Sequence, residues 1–322
     1  MDDRTRAAPA AASVSPTALL FPQWRGDRPL PAGFIDGFRS RHRQADAAWD
    51  SAYAELDDAL SAQDPWLGYG YWGPAAQRLT ADADEAWLCG FLLWNIERFD
   101  GRFAALGLDA EFRLQFIDSF HRILDQIDAE PSFVRARRDM FMKDLGIVRG
   151  TLIPAVSRLL YPYAGLSARH LLRNPAAMPF VYRRCGGRRP FFGLHVHQPM
   201  ADAYFNPAGW AECHRLAARA FAAFPAVRGL MGASWFYDPA VPRLSPHLAY
   251  LLDAPLKHGA RLLRLGEHPD VTRDAIAASR TRSAAYERGT YRPCGYALLW
   301  AKRDLIAAVP TESSSGVRSC VH

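Results

Sequence analysis

Residues 191–240 read FFGLHVHQPMADAYFNPAGWAECHRLAARAFAAFPAVRGLMGASWFYDPA, and this stretch decides the fold. Apolar residues alternate over 191–197, which predicts a strand with one face in the core and the other free to form a site. A second strand is predicted over 228–238, where Asp-Pro ends it. Two strands separated by about 30 residues leave room for a crossover helix between them.

The segment between the two strands carries the signals of that helix. Asn206 is a favourable N-cap residue, and Pro207 fits the first helical position. Apolar residues then recur at helical spacing until Pro225, which predicts a helix with one buried stripe. The stretch therefore reads as strand, helix, strand.

The rest of the C-terminal half continues this alternation. Gly186-Gly187 supplies the positive φ angles of a two-residue turn, so a hairpin is predicted over 180–197. Beyond the central stretch the patterns predict a helix over 245–259, a strand over 261–265, a helix over 270–288 and a strand over 291–302. This order is typical of a sheet with crossover connections.

The N-terminal half is different in character. Residues 1–18 are rich in Ala, Pro and Ser without periodicity, which predicts a disordered arm. Residues 19–175 form a mainly helical region, in which a helix is predicted over 154–160, and residues 176–309 form an α/β domain followed by a flexible tail at 310–322. We therefore predict an α+β or α/β fold, a mainly helical N-terminal region packed on a C-terminal mixed sheet with crossover helices.

Composition excludes several classes of protein. No apolar run approaches the roughly 18 residues of a membrane helix, and no secretory signal is recognisable, so a soluble cytoplasmic protein is predicted. The five cysteines are scattered without paired spacing, which argues against a disulfide framework or a zinc knuckle. The net charge of +6 is dispersed and accompanies no nucleic-acid-binding pattern, so no nucleic-acid partner is predicted.

His195 and His197 are the sharpest local signal, since alternate residues of a strand place both imidazoles on one face. With Asp202 and Gly209 their spacing resembles the first metal motif of cupins. Asp202 stands where that family has Glu, and a helix follows where a β-barrel would continue. Three interpretations stay open. The first is an Fe, Zn or Mn site formed by His195, His197 and Asp202 or Asp238, the second is an acid/base cleft with one histidine as general base, and the third is a purely structural role for both histidines.

The end of the second predicted strand, Ser234-Trp-Phe-Tyr-Asp238, is unusually aromatic. Ligands of open α/β sheets lie at the carboxyl ends of strands, so Ser234, Trp235 and Tyr237 are predicted to contact a substrate. Asp238 is predicted to orient His195 or His197. The alternative is a strand buried on both faces, with Asp238 forming a turn.

The C-terminal run from Leu248 to Trp300 resembles the closing half of a GNAT-type acyltransferase. The resemblance lies in a helix ending Ser-Ala-Ala-Tyr286-Glu-Arg-Gly289-Thr-Tyr291 before the last strand. It implies a GNAT-like domain that uses a thioester donor, in which Tyr286 protonates the departing thiolate. Arg280 and Arg282, in the same helix, are candidates for contacting an acidic donor, and a solvated helix face is the alternative.

The family's phosphate loop is missing from this sequence. Residues 238–246 read DPAVPRLSP, with no glycine to let the backbone approach a pyrophosphate. A pantetheine donor on an acyl carrier protein, or no thioester at all, is easier to reconcile with this segment. The leading hypothesis is acyl transfer from acyl-CoA or an acyl-carrier-protein thioester to an amine or similar small acceptor, with His195 or His197 as base. The alternatives are a metal-dependent hydrolytic or oxidative enzyme and a non-catalytic binding protein.

Overall fold

The structure is a computed structural model of the chain, and it describes residues 24–42, 47–196, 203–277 and 279–309. The arm predicted at 1–18 and the tail predicted at 310–322 lie outside the described residues. The same is true of His197 and Asp202, two of the predicted site residues.

Helices fill most of the described chain between Phe34 and Val148, within the region predicted to be mainly helical. They are α1 (Phe34–Arg41), α2 (Ala47–Ser61), α3 (Pro74–Leu79), α4 (Glu85–Glu97), α5 (Phe99–Leu106), α6 (Ala110–Ala129), α7 (Phe133–Ala136) and α8 (Arg138–Val148). Side-chain caps start two of them, since Asp84 accepts a hydrogen bond from Trp87 N at 2.7 Å and Asp109 accepts one from Glu111 N at 3.0 Å. These caps satisfy backbone donors that a helix leaves free at its first turn.

The described strands form one sheet with the order β1-β2-β3-β4-β6-β5. They are β1 (Ile153–Ala155), β2 (Arg158–Ala164), β3 (Phe191–Val196), β4 (Gly229–Ser234), β5 (Arg261–Gly266) and β6 (Gly295–Ala301). Neighbouring strands in this sheet are antiparallel except β3 and β4, which are parallel. The predicted mixed sheet with a crossover helix is thereby confirmed.

Helices and short turns of helix connect and cover these strands. The α-helices of the C-terminal half are α9 (Ala168–Leu172), α10 (Pro207–Ala220), α11 (Val241–Leu244), α12 (Tyr250–Lys257), α13 (Pro269–Ala277), α14 (Arg280–Glu287) and α15 (Lys302–Ala308). α10 is the crossover between β3 and β4, and Asn206 caps it by accepting a hydrogen bond from Gly209 N at 2.9 Å. Trp210, Cys213 and Ala217 form its buried stripe, as predicted.

The two faces of the sheet have different covers. Leu160, Phe192 and Leu230 lie on one face and join the main core, which includes residues of α6 and α10. The opposite face of β5 and β6 contributes Leu263 and Leu299 to a smaller cluster. No described helix combines the length and the apolar content that a membrane crossing requires.

Three predicted elements are wrong. The helix predicted over 154–160 is the antiparallel pair β1 and β2, with Val156 at a φ of 56° between them. β1 and the first five residues of β2 are buried, so this run has no period-two alternation to distinguish it from a helix. The helix predicted over 270–288 is divided into α13 and α14, because Ser279 starts the second one by accepting a hydrogen bond from Arg282 N.

The hairpin predicted over 180–197 is also wrong in its first arm. Phe180–Arg184 is one turn of π-helix and not a strand. Gly186 and Gly187 adopt the expected positive φ angles of 80° and 143°, and they follow this π-helical turn. Gly187 N donates to Val181 O at 2.9 Å. Arg184, in the same turn, forms an ion pair with Asp304.

Candidate functional site

The parallel strands β3 and β4 separate at their carboxyl ends. Their pairing covers Phe192 to Leu194 on β3 and Leu230 to Gly232 on β4, although each strand continues for two more residues. Ala233 is exposed in spite of belonging to a central strand. An opening between two parallel strands at this end of a sheet is where ligands of open α/β folds bind.

His195 lies on β3 just beyond the last paired residue. Its ring centroid is 4.8 Å from that of Tyr69 and 6.4 Å from that of Tyr161. Gly193, two residues earlier on the same face, makes room for the ring, since a Cβ there would be 3.3 Å from His195 Nε2. The imidazole is half-buried and held between β2 and the loop that carries Tyr69.

Burial is the main reason that the pKa of His195 is lowered to about 4. The charge of Lys143 lowers this pKa further, and the charge of Asp139 opposes the shift. Lys143 Nζ is 2.5 Å from Asp139 Oδ2, and Tyr69 Oη donates to Asp139 Oδ1 at 3.4 Å. His195 is therefore a neutral imidazole at pH 7, beside a Tyr69, Asp139 and Lys143 cluster contributed by the helical half.

Sequence reasoning missed Tyr69, Asp139 and Lys143 as neighbours of His195. One signal for Tyr69 is present in the sequence. It lies in an aromatic run over 66–74 that is interrupted by glycines, and such a run is either a ligand wall or a loop pinned to the core by its rings. A cavity of about 440 Å³ lies beside it, and Tyr69, Tyr161 and Tyr163 belong to its lining. The cavity therefore shares two aromatic residues with the surroundings of His195.

Asp238 lies in a turn after β4. It is buried, its Oδ1 accepts a hydrogen bond from Ala240 N at 2.9 Å, and its Oδ2 accepts one from Cys294 N at 3.2 Å. These bonds fix the turn to the segment that enters β6. The predicted strand thus ends at Ser234, and the carboxylate whose charge reaches His195 is that of Asp139.

The aromatic residues between Ser234 and Asp238 form a turn of 3₁₀-helix. Ser234 and Trp235 are half-buried, whereas Tyr237 is buried beneath β4. A Cβ at Gly232 would lie 2.7 Å from Tyr237 Cε2, so glycine there allows the turn to fold back under the strand. Ser234 and Trp235 thus lie at or next to the opening, while Tyr237 supports it from below.

Arg282 is buried rather than part of a solvated helix face. Its Nε donates to Ala275 O at 2.8 Å and its Nη1 donates to Ser245 Oγ at 2.6 Å. Its guanidinium lies 4.3 Å from the ring centroid of Trp235, and Arg280 is exposed on the same helix. Arg282 therefore holds Trp235 in place beside the end of β4.

Tyr286 lies at the end of α14 with 42% of its surface exposed. It lines a shallow cavity with residues of the segment 267–276. Its assignment as the acid for a leaving thiolate stays a prediction.

The metal interpretation depends on residues outside the described part of the chain. His197 and Asp202 are not described, and the residues that are described contain no group of three His, Cys, Asp or Glu side chains able to hold a metal ion. Of the predicted ligands with a described position, His195 is surrounded by aromatic rings, and Asp238 accepts hydrogen bonds from the backbone N–H groups of Ala240 and Cys294.

The low pKa of His195 predicts an acid-dependent loss of stability. The folded protein holds this pKa at about 4, against about 6.5 in the unfolded chain. Between these values the unfolded chain binds a proton that the folded protein does not, so the free energy of unfolding falls as pH falls through this window and is unaffected above it. The contribution is at most about 1.4 kcal/mol per pH unit.

We expect His195→Phe and His195→Gln to remove this contribution. Urea unfolding at pH 7 and at pH 5 measures it, and both variants should gain stability relative to the unsubstituted protein at the lower pH. If the free energy of unfolding of each variant differed from that of the unsubstituted protein by the same amount at pH 7 and at pH 5, the low pKa of His195 would be contradicted.

Comparisons with known proteins do not identify a family for this chain. No family model matches the chain, and no curated protein matches it. One similar solved structure is an acyltransferase in complex with decanoyl-CoA, at 17% sequence identity and a TM-score of 0.35, covering 83% of this chain and 98% of that one. Because the TM-score is so low, we take nothing about the site or the reaction from this likeness.

Proposed function

We propose that the protein is a GNAT-like acyltransferase that moves an acyl group from a thioester donor to an amine or similar small acceptor. The separation of β3 and β4 beyond Leu194 and Gly232 is the observation that carries this proposal. An extended chain with amide groups can pair with an exposed strand edge, and the pantetheine arm of acyl-CoA or of an acyl carrier protein is such a chain.

The acceptor would enter from the side of the helical half. His195 faces Tyr69 and Tyr161 there, and both tyrosines line the cavity of about 440 Å³. An amine in that cavity would approach a thioester carbon held between the strands. Ser234 and Trp235 would contact the donor at the end of β4, with Arg282 holding Trp235 and Arg280 available to an acidic part of the donor.

Acyl transfer requires one proton to be removed and another to be supplied. The acceptor nitrogen forms a bond to the thioester carbon, the carbon–sulfur bond breaks, and the nitrogen loses a proton. Neutral His195 is proposed to take that proton, and His197 shares this role in the proposal. Tyr286 is proposed to protonate the leaving thiolate, and Asp238 to fix the turn that borders the opening.

The donor is proposed to be held mainly by its pantetheine arm. The segment after Asp238 forms only the four-residue helix α11, preceded by Pro239 and Ala240, and so has no glycine-rich cradle for a pyrophosphate. This favours a carrier-protein thioester over acyl-CoA. Titration with acyl-CoA and with the matching acyl-pantetheine distinguishes the two, because similar affinities are expected if the nucleotide adds nothing.

We expect Ala233→Trp to weaken thioester binding at least tenfold. Ala233 is exposed on β4 just beyond the last residue paired with β3, so an indole there would fill the opening. Isothermal titration with acyl-pantetheine measures the effect. Ala277→Trp, at another exposed alanine, serves as the control and should bind as the unsubstituted protein does. Absence of binding and turnover with all thioesters would overturn the proposal and favour a non-catalytic binding protein.

A further inference from the structure

Two arginines and one carboxylate lie together in the lining of the cavity of about 440 Å³. Arg102 of α5 and Arg149, directly after α8, both pair with Asp57 of α2. Arg102 Nη2 is 3.0 Å from Asp57 Oδ2, and Arg149 Nε is 2.8 Å from Asp57 Oδ1. In this arginine cluster (Asp57, Arg102 and Arg149) two positive charges share one negative charge, so one positive charge is not offset within it.

The arginine cluster keeps hydrogen-bond donors for a ligand. Arg149 uses Nε and Nη2 on Asp57 and on Ser61 Oγ, and Arg102 uses Nη1 on Asn95 and Nη2 on Asp57. Arg149 Nη1 and Arg102 Nε have no hydrogen-bond partner among the described residues, and neither atom is buried. The two arginine side chains are 12% and 22% exposed, so a molecule in the cavity can reach these donors.

The charges around Arg102 show that a further anion would be stabilised there. Burial lowers the pKa of Arg102, the charge of Asp57 raises it, and the charges of Arg149 and Arg98 lower it again. The net shift is downward, so a single carboxylate does not offset burial together with two neighbouring guanidiniums. A carboxylate is the natural partner, because guanidinium N–H groups match its two oxygens.

The end of the cavity near the sheet has the opposite charge. Burial raises the pKa of Tyr161 to about 12, and the charges of Tyr163 and Asp64 add to this shift. Asp64 lines the cavity as well, is exposed, and accepts a hydrogen bond from Trp66 N at 3.0 Å. The lining is therefore positive at the arginine cluster and negative beside Tyr161, whose ring is a neighbour of His195.

We infer that this cavity binds a small molecule that carries both a carboxylate and an amine, joined by a short apolar chain. The carboxylate would accept hydrogen bonds from Arg149 Nη1 and Arg102 Nε, and the amine would lie beside Tyr161. Leu60 and Leu145 also line the cavity and would contact the chain between the two groups. That this molecule is the acyl acceptor rests on the proposed function, whereas its binding by the arginine cluster does not. A phosphate dianion fits less well, since the cluster has one positive charge to offset.

Titration of the full chain with four small molecules tests the inference. 5-Aminopentanoate carries both groups, pentanoate has only the carboxylate, pentylamine has only the amine, and inorganic phosphate is the competing anion. Isothermal titration at pH 7 should rank 5-aminopentanoate severalfold above pentanoate. Pentylamine and phosphate should each bind at least tenfold more weakly than pentanoate, because charge-assisted hydrogen bonds to the carboxylate provide most of the affinity.

A matched pair of variants locates the carboxylate. Ala105 is exposed, lines the cavity and lies three residues after Arg102 on α5, so Ala105→Glu places a competing carboxylate beside that guanidinium. This variant should weaken pentanoate binding at least tenfold with an unchanged melting temperature. Ala104→Glu, at an exposed position outside the described lining, should bind pentanoate as the unsubstituted protein does. Arg149→Gln should also weaken pentanoate binding at least tenfold, and Arg113→Gln, at a surface arginine, is its control.

The binding results decide the inference. No binding of either carboxylate, binding of pentylamine or phosphate as tight as that of pentanoate, or undiminished pentanoate binding in Ala105→Glu would overturn it. Equal affinities for pentanoate and 5-aminopentanoate would overturn the place given to the amine. If Arg149→Gln does not fold, Ala105→Glu and Ala104→Glu still give the answer.

Turnover separates this inference from the proposed function. With acyl-pantetheine as donor, kcat/KM for 5-aminopentanoate should exceed that for pentylamine at least tenfold, and Ala105→Glu should abolish the difference. Equal kcat/KM for the two amines would overturn the inference while acyl transfer stands. Binding of 5-aminopentanoate as described, without acylation of any amine, would overturn acyl transfer and leave the carboxylate site supported.

Discussion

His195→Ala is expected to lower the kcat of acyl transfer by a factor of about 10²–10⁴, the usual contribution of a general base. This expectation rests on the position of His195. Its side chain is titratable, and it directly follows Leu194, the last residue of β3 that pairs with β4. Its low pKa keeps it unprotonated at pH 7. Single-turnover kinetics with acyl-pantetheine and a primary amine separate this loss of rate from any loss of binding.

Binding of the thioester should change less than threefold in the same variant, since His195 is assigned to proton transfer and not to the donor. His247→Ala, at an exposed histidine, provides the matched control and should retain full activity. An unchanged kcat in His195→Ala would remove His195 from the mechanism. It would leave the opening between the strands as a binding site whose chemistry depends on other residues.

The sequence predicted those elements whose signals are local. The predicted end of β3 differs from the observed end by one residue, and that of α10 differs by five residues. The signals of these elements are strand alternation for β3 and the Asn206 cap with Pro207 for α10, and each is visible in a short window of sequence. The mixed sheet with a crossover helix followed from the order of these signals. The buried stripe of α10 was also correct, since helical periodicity specifies which face is apolar.

The elements that failed depend on tertiary context. β1 and β2 are almost entirely buried, so their apolar run carries no period, and only pairing with β3 identifies it as sheet. Gly186 and Gly187 have the backbone angles expected of a hairpin turn, yet they follow a π-helical turn. Positive φ angles identify where the chain reverses, and they do not identify which elements it connects.

The candidate site was predicted in part for the same reason. His195 was recognisable from strand alternation, whereas Tyr69 and Asp139 reach it from elements more than 50 residues away in sequence. Arg158 gave no signal at all, because nothing in its neighbourhood of sequence shows that three aromatic rings will enclose it. Long-range contacts of this kind require the fold.

Asp144→Asn is expected to destabilise the protein by about 3–5 kcal/mol, the usual cost of removing one partner of a buried ion pair. Asp144 lies on α8 with a fully buried side chain, and its Oδ2 accepts a hydrogen bond at 3.3 Å from Nη1 of Arg122 on α6, whose Nη2 also bonds the carboxylate. Arg122 is only 12% exposed, so it would be left as a buried charge without its carboxylate. Urea unfolding at pH 7 measures the loss.

The double variant Arg122→Met, Asp144→Leu should recover most of that stability, since a buried pair can often be replaced by apolar residues at little cost. Arg122 has a carboxylate partner on a neighbouring helix, so breaking that pair lowers the free energy of unfolding. A loss below about 1 kcal/mol in Asp144→Asn would show that water already solvates the Arg122 pair.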